Sequence, residues 1–192
     1  MPTSSGLQRA SATIAAPADG VVRLAVVADT HSTMHAAAPA LLAAWRPTAI
    51  LHAGDIGNLD VLRTLEAIAP LHAVRGNIDG RAPGLPDVLT LDVERAPAPL
   101  RILLVHIGQA GVKVRPEVAR LARGEQAGLV VCGHSHVPFL GNDRGLAVFN
   151  PGSIGPRRFH LPIVFGTIEI GPGRLRFGHV DAETGRAWMP PS

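Results

Sequence analysis

An α/β fold with more than one sheet is what this 192-residue chain predicts. Three features carry that reading. Valine-rich apolar runs alternate with helix-like segments through the first half, a β-α-β-α-β order that implies parallel pairing with right-handed crossovers. The second half holds mostly strand-like runs separated by Pro/Gly turns. The composition, 46% hydrophobic against 17% charged, suits a packed core and excludes wholesale disorder.

Taken in order, residues 1–20 are rich in Pro, Ala, Ser and Thr with no apolar periodicity. They read as a disordered tail, lacking the basic start and apolar stretch of a signal peptide. One domain is expected over residues 21–185, and residues 186–192 read as a loose end. Residues 22–28 form an apolar strand-like run. Residues 36–45 are rich in Ala and Leu, with Pro39 near the start where a helix tolerates it. Residues 49–52 make a short second strand. Asn58 is placed to cap a helix carrying Leu59, Leu62, Leu65 and Ile68 at spacings of three. Residues 71–74 make a third strand. Residues 88–93 and 100–105 flank a Pro-rich turn as a hairpin. A helix over 116–123 and a buried strand over 128–132 come next. Strands over 146–149, 163–170 and 174–180 complete the chain, the last two joined through Gly171-Pro172-Gly173.

Several function classes drop out early. No apolar run approaches the roughly 18–20 residues that span a bilayer, so no membrane partner is expected. The single cysteine, Cys132, excludes an internal disulfide framework and a zinc ribbon, and suits a reducing, cytoplasmic compartment. The net charge is only +3, and Lys113 is the one lysine among its bases. That surplus is no dense basic stripe, and aromatics at 4% with no tyrosine offer few stacking platforms. Nucleic acid is therefore a disfavoured partner, although composition alone does not exclude it. A homo-oligomer is compatible with everything above. There is no Gly-x-x-x-x-Gly-Lys loop for an ATPase, and Ser135 lacks the nucleophile-elbow context.

The informative pattern lies at the ends of the strands. Asp29 and His31 come after the first as Val-Ala-Asp-Thr-His, and Asp55 after the second as His-Ala-Gly-Asp. Asn77 comes after the third as Arg-Gly-Asn-Ile-Asp. His106 succeeds Leu-Leu-Val, and His134 and His136 succeed Leu-Val-Val-Cys-Gly. Each is a metal-competent side chain, and most recur at the spacing of a βα unit, roughly 20–30 residues. Carboxyl ends of strands in open α/β sheets line the ligand crevice. The order along the chain therefore gathers these groups in one place.

The succession D-x-H, G-D, G-N, a later H and G-H-x-H resembles the calcineurin-like metallophosphoesterase superfamily. Within it, the chain resembles the small bacterial and archaeal YfcE-like phosphodiesterases, which share a fold with a retromer subunit. Asn150-Pro151-Gly152-Ser153 matches a further mark of that subgroup, and the resemblance spans about residues 22–180. It implies a four-layer α-β-β-α sandwich with a two-metal site. Carried over, Asp29, His31 and His136 would hold one ion and Asn77, His106 and His134 the other, with Asp55 bridging. Asp55, Asn77 and His134 would also serve catalysis. The implied cofactors are two divalent ions, Mn²⁺ foremost, with Fe, Ni, Co or Zn as alternatives. A hydroxide between the ions would attack a small phosphodiester substrate. Two such ions set against Asp29, Asp55 and hydroxide leave about one net positive charge, enough to draw phosphate without a basic surface.

Two positions depart from the family pattern. Ile78 stands where many relatives carry a histidine that protonates the leaving oxygen, which favours diesters with good leaving groups over alkyl monoesters. Gln109 stands where many have a second histidine. Asp79 is expected either beside the ligands or capping a turn. Arg75 is expected to pair with a carboxylate, His52 to pack near the site, and Arg157 and Arg158 to be solvated or to reach substrate. The competing functions are a retromer-type interaction scaffold, a nuclease, and a phosphomonoesterase or nucleotide phosphatase. The complete ligand set favours an enzyme over a scaffold.

Overall fold

Alternation along one strand explains the layering. In β2 (Val22–Val27), Leu24 and Val26 turn to one side and Ala25 and Val27 to the other, and all four are fully buried. A strand buried on both faces must lie in an interior sheet with a layer above and below. The computed structural model describes residues 6–95 and 98–190 and has that architecture.

Among the described residues, one six-stranded sheet runs β14 (Ala187–Trp188), β13 (Arg174–Asp181), β12 (Val164–Gly171), β2, β3 (Ala49–His52) and β4 (Leu71–Ala73). The other runs β1 (Arg9–Ile14), β5 (Val88–Val93), β6 (Leu100–Val105), β9 (Leu129–Val131), β11 (Leu146–Pro151) and β10 (Pro138–Asp143). A small hairpin pairs β7 (Gln109–Ala110) with β8 (Lys113–Val114). The two sheets face each other through Leu24, Leu51, Leu91, Ile102, Leu104 and Phe149, among others. Helices α1 (Ala38–Trp45) and α2 (Asp60–Glu66) cover the outer face of the first sheet, on Val27, Ile50 and Phe165. Helix α3 (Pro116–Gly124) covers the other, on Leu103, Val130 and Val148. The result is the α-β-β-α sandwich.

The parallel reading of the first half holds, since β2 pairs with β3 and β3 with β4 in parallel. The 88–105 hairpin is antiparallel, as expected. Asn58 acts one position early. Helix α2 has Leu59 at its N-cap, while Asn58 Oδ1 accepts the Asp60 N–H at 2.9 Å.

One expectation is corrected. Residues 9–14 are not a disordered tail: β1 pairs in parallel along the whole of β5 and seats Ile14 in the core. The cause is an open sheet edge that takes up backbone hydrogen bonds whatever the side chains. Small residues at Ala10, Ser11 and Ala12 mute the alternation that would have disclosed the strand. Residues 187–188 likewise pair with β13. Residues 1–5 and 191–192 of the expected tails lie outside the described residues. Among the described residues no helix is long and apolar enough to cross a membrane.

Candidate metal centre

The predicted site residues leave β2, β3, β4, β6 and β9 at one edge of the sandwich, where their loops are stitched together. The Asp29 N–H donates to Gly54 O at 2.9 Å, His31 to Asp55 O at 3.0 Å and Gly133 to His106 O at 3.0 Å. Asp29, His31, Asp55, His134 and His136 all take left-handed backbone, with φ between 45° and 70°. Non-glycine residues rarely stay there unless the surroundings over-determine them, and such strain gathers at functional sites. The glycine before Asn77 shows how close the loops come. A Cβ on Gly76 would meet Asp55 Oδ1 at 2.1 Å. The Asp55 carboxylate and backbone together leave no room for a side chain at that position.

Two groups result. Asp29, His31 and His136 present ligand atoms within 4.8 Å of one another, and so do Asp55, His106 and His134. Asn77 belongs to the second group, its Oδ1 lying 3.0 Å from both His106 Nε2 and His134 Nδ1. Asp55 faces both. Its Oδ1 is 3.2 Å from His106 Nε2 and its Oδ2 is 3.7 Å from His31 Nε2. The structure thus brings all seven predicted residues together.

Electrostatics derive from burial. Burial pushes the Asp29 carboxyl up to about 7, opposed by His106 and reinforced by Asp55. Burial also opposes ionisation of Asp55, but the hydrogen bond and charge of His106 prevail and hold it at about 2. Burial disfavours charge on His106, yet Asp55 and Asp29 raise its pKa. Burial, followed by the charge of Arg158, lowers His136 to about 4 and lowers His31 as well. Burial also lowers His134. Neutral imidazoles have free lone pairs.

The residues fit divalent cations. The donors are imidazole, carboxylate and amide oxygen without thiolate, the set that suits Mn, Fe, Co, Ni and Zn. Among the described residues His136 Nδ1 is buried without a partner, and its Nε2 faces two other candidate ligand atoms, His31 Nε2 and Asp29 Oδ1. A cation would supply the missing positive charge.

Neighbouring residues have defined tasks. Asp79 is a loop clamp: Oδ1 accepts the N–H groups of Ile56 and Gly57 at 2.9 and 2.8 Å, and Oδ2 accepts Gly76 N–H at 2.6 Å. Arg75 pairs with Asp87 through Nε and Nη2 at 2.6 and 2.8 Å, as expected. His52 is buried against Thr30 Oγ1 at 3.1 Å. Gln109 lies against Cys132 Sγ and donates to Gly111 O. Arg157 pairs with Glu183, while Arg158 Nη2 comes within 3.1 Å of His31 Nε2. Sequence reasoning did not assign Asn150 and Ser153 their tasks. Asn150 Nδ2 donates to Gly133 O at 2.8 Å, and Ser153 Oγ donates to Asp29 O at 2.9 Å, so both brace ligand loops. Their placement in Asn150-Pro151-Gly152-Ser153 was the available signal.

Residues 22–172 match the family model of the calcineurin-like phosphoesterase superfamily domain. The chain belongs to that superfamily. This metallophosphoesterase-family chain is 32% identical over 173 residues to the probable metallophosphoesterase of Methanothermobacter thermautotrophicus, covering 87% of this chain and 94% of that one. Its fold is similar to Vacuolar Protein Sorting 29 of Cryptosporidium parvum, with TM-score 0.73 and 17% identity over 88% of this chain and 96% of that one. It is also similar to the E. coli phosphoesterase YfcE, with TM-score 0.59 and 17% identity over 88% and 97% of the two chains. The family is that of phosphoester hydrolases, and the two residue groups are its candidate metal sites.

Proposed function

We propose that this chain is a metal-dependent phosphoesterase that cleaves phosphodiesters at a two-cation centre, with Mn²⁺ the first cation to test. The observation that carries the reading is Asp55, whose two oxygens address the two ligand groups separately, at 3.2 Å from His106 and 3.7 Å from His31. Asp29, His31 and His136 would hold one ion, Asn77, His106 and His134 the other, and Asp55 would join them. Bound cations of this kind polarise phosphoryl oxygens and make hydroxide available at neutral pH.

The protein's own groups set the rest. Arg158, close to His31, offers a fixed positive charge to phosphoryl oxygens. Asn77 and His134, 3.0 Å apart in the second group, would face a phosphate held at the centre. The Ile78 N–H donates to Asp55 Oδ1 at 3.2 Å, which orients the carboxylate that would join the two ions. The Ile78 side chain is 46% exposed at the same place and has no proton to give. A leaving oxygen would then depart unaided or take a proton from water, which supports diesters with acidic alcohols over alkyl monoesters. The single cysteine, Cys132, is fully buried and suits a reducing, cytoplasmic setting.

The test compares bis(p-nitrophenyl) phosphate with a simple alkyl monoester across Mn²⁺, Ni²⁺, Zn²⁺ and Mg²⁺. Faster diester turnover is expected. Faster monoester turnover overturns the substrate preference, and inertness toward every ester leaves the interaction-scaffold reading of the fold in its place.

A further inference from the structure

A cavity of about 380 Å³ opens beside the second ligand group, with Gly76, Asn77 and His106 at its inner end. Much of its wall is apolar, formed by Leu7, Val88, Val105, Ile107, Val118 and Leu121, drawn from the N-terminal segment, both strands of the 88–105 hairpin, the loop after β6, and α3. The charged residues Arg9, Arg75, Asp87 and Glu117 complete the lining, and each is already paired: Arg75 with Asp87, Glu117 with Arg115 and Arg9 with Glu125.

Leu7 and Arg9 lie outside the residues that match the family model, which begin at 22. They are nevertheless tied to the centre. Gln8 N–H donates to Asp87 Oδ2 at 2.8 Å, and Gln8 O accepts the Asp87 and Val88 N–H groups at 2.8 and 3.2 Å. Asp87 in turn holds Arg75, the residue directly before Gly76 and Asn77. A hydrogen-bonded chain therefore runs from the extra N-terminal strand to the metal-competent loop. Leu7 is 62% exposed where it lines this cavity, an apolar side chain left uncovered next to polar chemistry.

We infer that this cavity, walled in part by the N-terminal strand, binds an aromatic ring carried by one ester substituent of the substrate. The inference rests on the phosphodiesterase reading for the phosphate's position, and it adds the substrate class. Pockets of roughly 300–1,000 Å³ with apolar walls and few polar groups are of small-ligand size. The charged lining groups are engaged in their own pairs, so a sugar or a second phosphate would have to break those pairs to find partners, while the remaining wall is apolar. A ring buries its surface there, and arginine guanidinium groups favour aromatic over aliphatic partners.

The test measures binding of diphenyl phosphate and dimethyl phosphate to the Mn²⁺-loaded protein by calorimetry. Both carry one phosphate charge and differ in the rings. Diphenyl phosphate should bind at least about tenfold tighter, through the apolar surface it buries. Leu7→Asp places a charge in the cavity from an exposed position, and Leu121→Trp fills it; each should erase most of that preference. Equal affinities in the wild type, or an undiminished preference in both variants, would overturn the inference. A preference that persists in a protein inert toward all esters supports the cavity and sinks the hydrolytic reading alone. Robust hydrolysis without the preference does the reverse.

Discussion

His31 Nε2 and His136 Nε2 face each other at 3.3 Å, with their rings stacked at 26° and centroids 5.2 Å apart. Two imidazoles drawn together this way, both with lowered pKa values, point lone pairs into one small volume. Asp29 Oδ1 lies 3.5 Å from the same His136 nitrogen. Such a convergence is stabilised by a cation, and it makes metal uptake dependent on pH.

Cation binding should release protons in acid and few in base. Asp29, raised to about 7, carries a proton at pH 6 that a ligating carboxylate must lose, and His106, also raised, adds to the release. His136, at about 4, is already neutral and adds none. Affinity for Mn²⁺ should therefore rise as pH climbs from 5 through about 7 and then level off. Titration calorimetry in buffers of different ionisation enthalpy measures the protons. In the metal-free protein the sign for stability is the opposite. A raised Asp29 pKa means the unfolded chain ionises first, so stability from this group falls as pH rises from 3.8 through about 7.

Asp55→Ala should abolish turnover, by about a hundredfold or more, and weaken both cations while the fold persists. A site served by two separate ligand sets would lose only one ion. Metal stoichiometry, turnover and far-ultraviolet circular dichroism on one preparation distinguish these outcomes.

Asp79→Ala should destabilise the protein by about 2–3 kcal/mol, because three backbone N–H groups lose a shared carboxylate acceptor. It should weaken metal binding as well, since Gly76 precedes Asn77 and Ile56 comes directly after Asp55. Urea unfolding and a Mn²⁺ titration check the two halves. Unchanged values in both would show the clamp to be idle.

Ile78→His should raise alkyl monoester turnover by about 10–100-fold relative to diester turnover, at or below the lower end of the range for a well-positioned general acid. The ratio of kcat/KM for the two substrates reads it directly. An unchanged ratio would mean that leaving-group protonation does not limit the monoester reaction.

Chemistry was legible in the sequence because it lies in residue identity and order. Asp29, His31, Asp55, Asn77, His106, His134 and His136 each come just after an apolar strand, and a strand-end residue in an α/β sheet can go to only one edge. More than one sheet was legible in the succession of strand-like runs, whereas the four layers were implied by the family resemblance. Tertiary structure alone decided three matters. Arg9–Ile14 became a strand because β5 offered a free edge, and backbone pairing leaves little trace in small side chains. Asp79, expected beside the ligands or capping a turn, came to brace the ligand loops because three N–H groups from two loops reach it. Arg158, and not Arg157, approached His31 because Glu183 from a strand-end turn 26 residues away engaged its neighbour. Each depends on partners distant along the chain, and proximity in space is not written in local composition.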